Sequence, residues 1–195
     1  MRIIGGTAKG RKLCPPPRHE KTIRPTSDRA REALFSILGN TVRQAKVLDL
    51  FAGTGALGLE AFSRDAQVVV FVDNNSLALE LIKKNILLFP TKAERESSLY
   101  VVRHDLSRKL PPHKLPERTR SGFDLIFADP PYVQDFSLFL LELLNNSGLL
   151  AENGLVIFEA RHTVQLPASL SQLECVDRRV YGEAAFSFYR NRNAQ

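Results

Sequence analysis

Metal-ligating and disulfide-forming side chains are scarce in this chain of 195 residues, which has two cysteines, Cys14 and Cys175, and four histidines, His19, His104, His113 and His162. The cysteines stand far apart with no second ligand at metal spacing beside either, so free reduced thiols are expected. No two histidines have H-x-x-x-H spacing, and no metal centre is expected. Long apolar runs are missing too. None approaches the roughly 18 residues of a membrane span, and Met1-Arg2-Ile3-Ile4-Gly5-Gly6 is too small an apolar patch for a signal peptide, so a cytoplasmic protein is expected. There is no internal repeat and no low-complexity tract.

What is present is ordinary globular material, 44% hydrophobic and 25% charged. The length suits one domain burying roughly 70% of its unfolded surface. Charge is less evenly spread than composition. Residues 1 to 31 carry nine Lys and Arg against Glu20 and Asp28, more than the whole net charge of +6. A basic end is an electrostatic footprint for phosphates, although charge alone suits a solvated terminus equally well.

Arg2-Ile3-Ile4 and Arg11-Lys12-Leu13 are strand-like pieces joined through glycines, and Pro15, Pro16 and Pro17 stiffen the chain beyond them. This predicts a basic arm or hairpin over residues 1–26, either held out toward a polyanion or packed on the body, with the main domain over 27–195. Ser27 caps a predicted helix with apolar positions Ala30, Ala33, Leu34, Ile37 and Leu38, whose Arg29 and Arg31 are functional candidates. From Val47 the pattern alternates. Strands are predicted at 47–51, 68–72, 99–102, 123–128, 155–158, 175–180 and 185–189, with helices at 55–64, 76–89 and 136–144. The fold class is therefore α/β: a mostly parallel seven-stranded sheet with helices on both faces and an antiparallel hairpin at its end. Residues 107–122, with three prolines and several basic residues, read as a surface loop near the cleft rim.

Ligands of such sheets bind beyond the carboxyl ends of the strands. Two segments fall there. Gly53-Thr54-Gly55-Ala56-Leu57-Gly58 satisfies G-x-G-x-x-G after a strand, and Asp73 stands at the next strand's end, where an acid can hold ribose hydroxyls. Those features suit NAD as well as S-adenosylmethionine. Asp49 shifts the balance, because an acid there favours a cationic ligand and repels a pyrophosphate. The second segment is Asp129-Pro130-Pro131-Tyr132. Prolines remove N–H donors and leave carbonyls as acceptors, so the Asp129 carboxylate and the Pro130 carbonyl can take both hydrogens of a base amine. Tyr132 can stack on the base. By itself this turn suits N2 of guanine, N6 of adenine or N4 of cytosine.

These residues resemble the class I S-adenosylmethionine-dependent methyltransferases of base amines. With Arg24-Pro25-Thr26-Ser27-Asp28-Arg29, Arg31-Glu32-Ala33-Leu34-Phe35 and the N-terminal pieces, they resemble the RsmD family over nearly the whole chain. The resemblance implies a Rossmann-like methyltransferase sheet and transfer of a methyl group to N2 of a guanine in 16S ribosomal RNA. It implies that Asp49, Phe51, Ala52, Gly53, Thr54, Gly55, Asp73 and Asn74 hold S-adenosylmethionine, with Asp105 and Leu106 on its adenine side. Asp129, Pro130, Pro131 and Tyr132 form the catalytic turn. Arg2, Lys9, Arg11, Lys12, Arg24 and Arg29 grip the 16S rRNA or small ribosomal subunit, and the enzyme is expected as a monomer with no membrane or metal partner. Family members often carry Glu where this chain has Asp73. The rival readings are a DNA or RNA adenine amino-methyltransferase, an NAD-dependent oxidoreductase, and a non-catalytic ribosome-assembly or RNA-binding protein.

Overall fold

In a computed structural model that describes residues 1–17, 27–89, 98–130 and 134–192, seven strands form one sheet in the order β3-β2-β1-β4-β5-β7-β6. The strands are β1 (Lys46–Leu50), β2 (Val68–Asp73), β3 (Leu99–Arg103), β4 (Phe123–Ala128), β5 (Leu150–Arg161), β6 (Leu173–Tyr181) and β7 (Ala184–Asn191). The first five run parallel; β7 is antiparallel to β5 and to β6. Chain order leaves β1 toward β2 on one side and reaches β4 on the other. The cleft at such a reversal lies between the carboxyl ends of β1 and β4.

Burial explains the strand assignments. Every residue of β2 is buried, as its unbroken apolar run requires of a strand covered on both faces. One face packs Val47, Phe71, Phe127 and Ile157 against helices α1 (Asp28–Leu38), α2 (Ala56–Ser63) and α3 (Ser76–Ile86). The other packs Leu48, Val70, Ile126 and Phe158 against α4 (Gln134–Asn145), and Leu106 and Leu110 of the β3–β4 connection join it. That connection has two short 3₁₀ turns, Pro112–Lys114 and Glu117–Thr119.

Three elements depart from expectation. β5 begins five residues before the predicted start, because its polar opening pairs through an irregularity made possible by Gly154; a Cβ there would lie 2.7 Å from the Phe123 carbonyl oxygen. α3 ends at Ile86, and Leu88 and Phe89 turn back onto the carbonyls of Asn85 and Ile86 before Pro90, which lies outside the described residues. α1 buries Ala30, Arg31, Leu34, Phe35 and Leu38, leaving Ile37 exposed and Ala33 half-buried. The helix has turned to set Phe35 against Phe127, ring centroids 5.8 Å apart, and Arg31 toward α2.

The N-terminal segment packs on the body. Arg2 and Lys12 form a bridge, Ile3, Ala8 and Leu13 enter the main core, and Gly6 (φ 74°) passes so close to α2 that any Cβ would collide with the Ser63 carbonyl. Glu60, wholly buried, explains the attachment. Its carboxylate accepts from the Ile4 and Gly5 amides at 2.7 and 2.8 Å and from Arg64 Nε at 2.8 Å. Ser63 Oγ accepts from the Ala8 amide at 2.9 Å. Arg31, expected as a functional candidate, is also fully buried and donates to Asp28 Oδ1 at 2.9 Å and to the Arg2 carbonyl. Burial pushes its pKa down, while Asp28 and Glu60 oppose that shift. Arg31 is therefore structural.

Candidate active site

Beyond Leu50 the chain leaves the sheet through Phe51, a non-glycine residue at φ 58°. Such a conformation costs on the order of 1–3 kcal/mol, so surrounding contacts must hold it. Phe51 packs edge-to-face on Phe136 of α4, centroids 5.7 Å apart, and the next amide, Ala52, pairs with the Val72 carbonyl at 3.2 Å. Gly53 and Gly55 are also left-handed (φ 55° and 76°), which folds the loop back so that α2 starts at Ala56. Gly58, the third glycine of the motif, lies against the sheet. A Cβ on it would stand 2.4 Å from Phe71 Cε1 and 2.7 Å from Val69 Cγ1, so only glycine lets helix and strand approach this closely.

Acids at the strand ends hold this loop. Asp73 accepts from the Gly53 amide at 2.9 Å with one oxygen and from the Asn75 amide at 2.9 Å with the other. Asp73 therefore reaches the loop directly. Asp49 accepts from the Gly58 amide at 2.9 Å, near the positive end of α2. Burial pushes its carboxyl up to about 8; the Asp73 charge adds to this and the Gly58 N–H opposes it. Asn74 is exposed, and Asn75 caps α3 by accepting from the Leu77 and Ala78 amides at 2.9 and 3.4 Å. Asp105, past the end of β3, is exposed and accepts from the Ser107 amide at 2.9 Å, an interaction that holds its carboxyl below the usual range. Leu106 beside it is buried.

On the other side of the cleft, Asp129 comes directly after β4 with its amide 3.5 Å from the Leu50 carbonyl. Pro130 is buried; Pro131 and Tyr132 lie outside the described residues. Asp129 is half-buried, and its carboxyl is raised well above the ordinary value by burial first, then by Glu159 and Asp49. Glu159 is not among the residues that sequence motifs single out. It is buried near the end of β5, and the β4–β5 register, Ala128 opposite Phe158, brings it beside Asp129. A signal for it exists in the chain: an acid interrupting the apolar run Val156-Ile157-Phe158-Glu159-Ala160. Side-chain alternation then sets Asp73, Asp49, Asp129 and Glu159 on one face of four neighbouring strands, β2, β1, β4 and β5.

The basic residues of the N-terminal segment show a consistent division: Ile3, Ala8 and Leu13 face the core, and Arg2, Lys9, Arg11 and Lys12 are exposed, as is Arg29 on α1. Arg24 lies outside the described residues. Among the described residues no His, Cys, Asp and Glu cluster could hold a metal, and no helix is long and apolar enough to cross a membrane.

A glycine loop after β1, an acid at the end of β2, an Asp-Pro pair after β4 and an antiparallel β7 between β5 and β6 define a Rossmann-like α/β fold of the methyltransferase kind. A solved structure of the Escherichia coli methyltransferase candidate yhhF matches it with a TM-score of 0.75 and 31% identity, covering 100% of this chain and 99% of that one. The family model described as conserved hypothetical protein 95 matches residues 1–190. The chain is 32% identical over 195 residues to ribosomal RNA small subunit methyltransferase D of Escherichia coli, covering 100% of this chain and 91% of that protein. It is 34% identical over 197 residues to YlbH of Bacillus subtilis, an rRNA methyltransferase candidate, covering 98% and 100%. The chain belongs to this family, the RsmD family.

Proposed function

We propose that the protein transfers a methyl group from S-adenosylmethionine to the exocyclic N2 amine of a guanine in small-subunit ribosomal RNA. The observation that carries this is the row Asp73, Asp49, Asp129 and Glu159 across four adjacent strand ends, directly beside a glycine loop. A sulfonium and an ammonium group suit such a row, because a bound cation favours its charged carboxylates; a pyrophosphate gains no cationic partner from it. The left-handed Gly53 and Gly55 turn the loop back over the strand ends, and Gly58 lets α2 seat against the sheet directly behind it. Bound here, S-adenosylmethionine would supply an electrophilic methyl group. Asp73 is suited to its ribose hydroxyls, Asp49 and residues 51–55 to its amine-bearing end, and Asn74, Asp105 and Leu106 to its adenine side.

Asp129 and the Pro130 carbonyl then orient the target amine by accepting its two hydrogens. As the nitrogen took the methyl group and the sulfonium's S–CH3 bond broke to leave neutral S-adenosylhomocysteine, the nitrogen would gain positive charge, which the Asp129 carboxylate would stabilise. The amine finally gives up one proton, to Asp129 or to water. Little base strength is needed, because alignment at short range is itself worth effective molarities on the order of 10⁵ M. The base must be unpaired or flipped, at a cost of a few kcal/mol. The exposed arm residues Arg2, Lys9, Arg11 and Lys12, with Arg29, are suited to the RNA phosphates. The proteins this chain resembles are named for rRNA methylation, which supports RNA over DNA as the substrate and a cytoplasmic, ribosome-directed role.

The test offers labelled S-adenosylmethionine with small-subunit rRNA, small-subunit particles and duplex DNA in separate reactions, with nucleoside analysis of each product. Label recovered as N2-methylguanosine is expected. Label on DNA alone, or NAD binding without S-adenosylmethionine binding, would overturn the reading.

A further inference from the structure

Asn85, in the last turn of α3, has an environment that neither helix capping nor the acid row accounts for. It is wholly buried, yet its side-chain hydrogen bonds reach outside its own helix. Its Oδ1 accepts from the Cys14 amide at 2.7 Å, and its Nδ2 donates to the Thr54 carbonyl at 2.9 Å and toward the Cys14 carbonyl at 3.4 Å. The partners fix which way the amide points: reversing it would set an oxygen against two carbonyls and a donor against a donor. Thr54 is the middle residue of Gly53-Thr54-Gly55, is itself buried, and has its hydroxyl 3.7 Å from Met1 Sδ.

The glycine loop needs such a brace. Its residues sit at φ values that a relaxed chain leaves readily, and its amides Gly53 and Gly58 are secured from the sheet side, by Asp73 and Asp49. On the opposite side the Thr54 carbonyl points into protein interior, where a missing donor would leave a buried acceptor unsatisfied. We infer that Asn85 is a positioning residue for the cofactor loop, a single buried amide that clamps Thr54 from α3 and is itself held by residue 14 of the N-terminal segment. This rests on the proposed S-adenosylmethionine reading and adds a specific consequence. Cofactor affinity depends on Asn85 and on the docking of Cys14, although Cys14 is no part of the glycine loop.

The discriminating variant is Asn85→Asp. It keeps an oxygen for the Cys14 amide, so the segment stays docked, and it replaces the donor facing Thr54 by a second oxygen. A protonated carboxylic acid can restore a donor; a carboxylate cannot. Calorimetric titration of the full-length protein with S-adenosylhomocysteine should show binding about tenfold weaker than wild type at pH 8, the size expected for one buried acceptor left unsatisfied. That deficit relative to wild type should shrink as pH falls toward 6. In turnover with rRNA, KM for S-adenosylmethionine should rise by a similar factor while kcat and KM for RNA stay within about twofold, a split that general loosening of the fold would not give. Cys14→Pro, which removes the N–H that steadies Asn85 and leaves the loop sequence intact, should weaken the same titration by about two- to fivefold, and serves if the first variant does not fold. Asn85→Asp binding S-adenosylhomocysteine as wild type does at pH 8 would overturn the inference, as would Cys14→Pro without effect. Failure of wild type itself to bind would instead overturn the cofactor reading.

Discussion

Around the glycine loop each backbone group meets one side-chain partner at hydrogen-bond distance: the Gly53 amide on Asp73, the Gly58 amide on Asp49, the Thr54 carbonyl on Asn85. At the end of β4 the arrangement is different, with Asp129 and Glu159 set side by side by strand register and the Asp129 carboxyl raised by burial, Glu159 and Asp49. The first half of the cleft is fixed by directional hydrogen bonds. The second is electrostatic, with a half-buried Asp129 beside a buried Glu159 where the proposed reaction would develop positive charge. Geometry suits recognition of a cofactor common to every turnover. Acids whose charged form is disfavoured in the empty cleft suit a step in which a nitrogen becomes cationic, because a forming cation favours the carboxylate.

Substitutions separate these two modes. The largest effect is expected at Asp129: Asp129→Ala should lower kcat by about 10²- to 10³-fold with S-adenosylhomocysteine affinity within about twofold of wild type, measured by single-turnover methyl transfer and calorimetry. Loss of cofactor binding in parallel would erase the distinction between the halves. Next is Gly58→Ala, which forces a Cβ against Phe71 and Val69. It should cost about 1–3 kcal/mol in chemical denaturation, with cofactor affinity reduced as α2 shifts.

A smaller and pH-dependent effect is expected at Asp49. Its folded-state carboxyl stands at about 8 against 3.8 for the free side chain, so the native protein holds an extra proton between those values and this group's contribution to stability falls as pH rises across that window. Asn cannot titrate. The melting temperature of Asp49→Asn should therefore gain on wild type steadily between pH 5 and pH 8.5, while cofactor binding weakens. A constant gap over that range would remove Asp49 from the electrostatic account. Smallest in free energy is the arm: Arg11→Ala with Lys12→Ala should leave folding intact and reduce the slope of log affinity for RNA against log salt by about one to two units. An unchanged slope would assign those side chains to solvent alone.

Local features are the ones legible in the sequence. The glycine loop, the acid after β2, the Asp-Pro turn and the alternation of strands and helices each depend on neighbours along the chain, and together they imply the sheet. Features set by distant partners are not legible. Arg31 looks like a functional candidate because nothing nearby tells that Glu60 and the Arg2 carbonyl await it. Asn85 looks like any polar residue late in a helix, and Glu159 like a stray acid in a strand. Phe51 carries no mark of its left-handed backbone, since apolar patterning predicts one more strand residue. In each case the missing information is a contact across 29 or more residues, or a backbone conformation imposed by the turn.

The attachment of the N-terminal segment also sets an order of events during synthesis. The amides of Ile4, Gly5, Ala8 and Cys14 find their acceptors on Glu60, Ser63 and Asn85, between 55 and 71 residues later. Until α2 and α3 have formed, this earlier-made stretch has nothing to dock on, and its polar backbone stays hydrated with its basic side chains free to meet any polyanion. Contacts of such separation close late, since the intervening chain must first be ordered. Protection of those four amides from hydrogen exchange thus marks the docking of the N-terminal segment on α2 and α3.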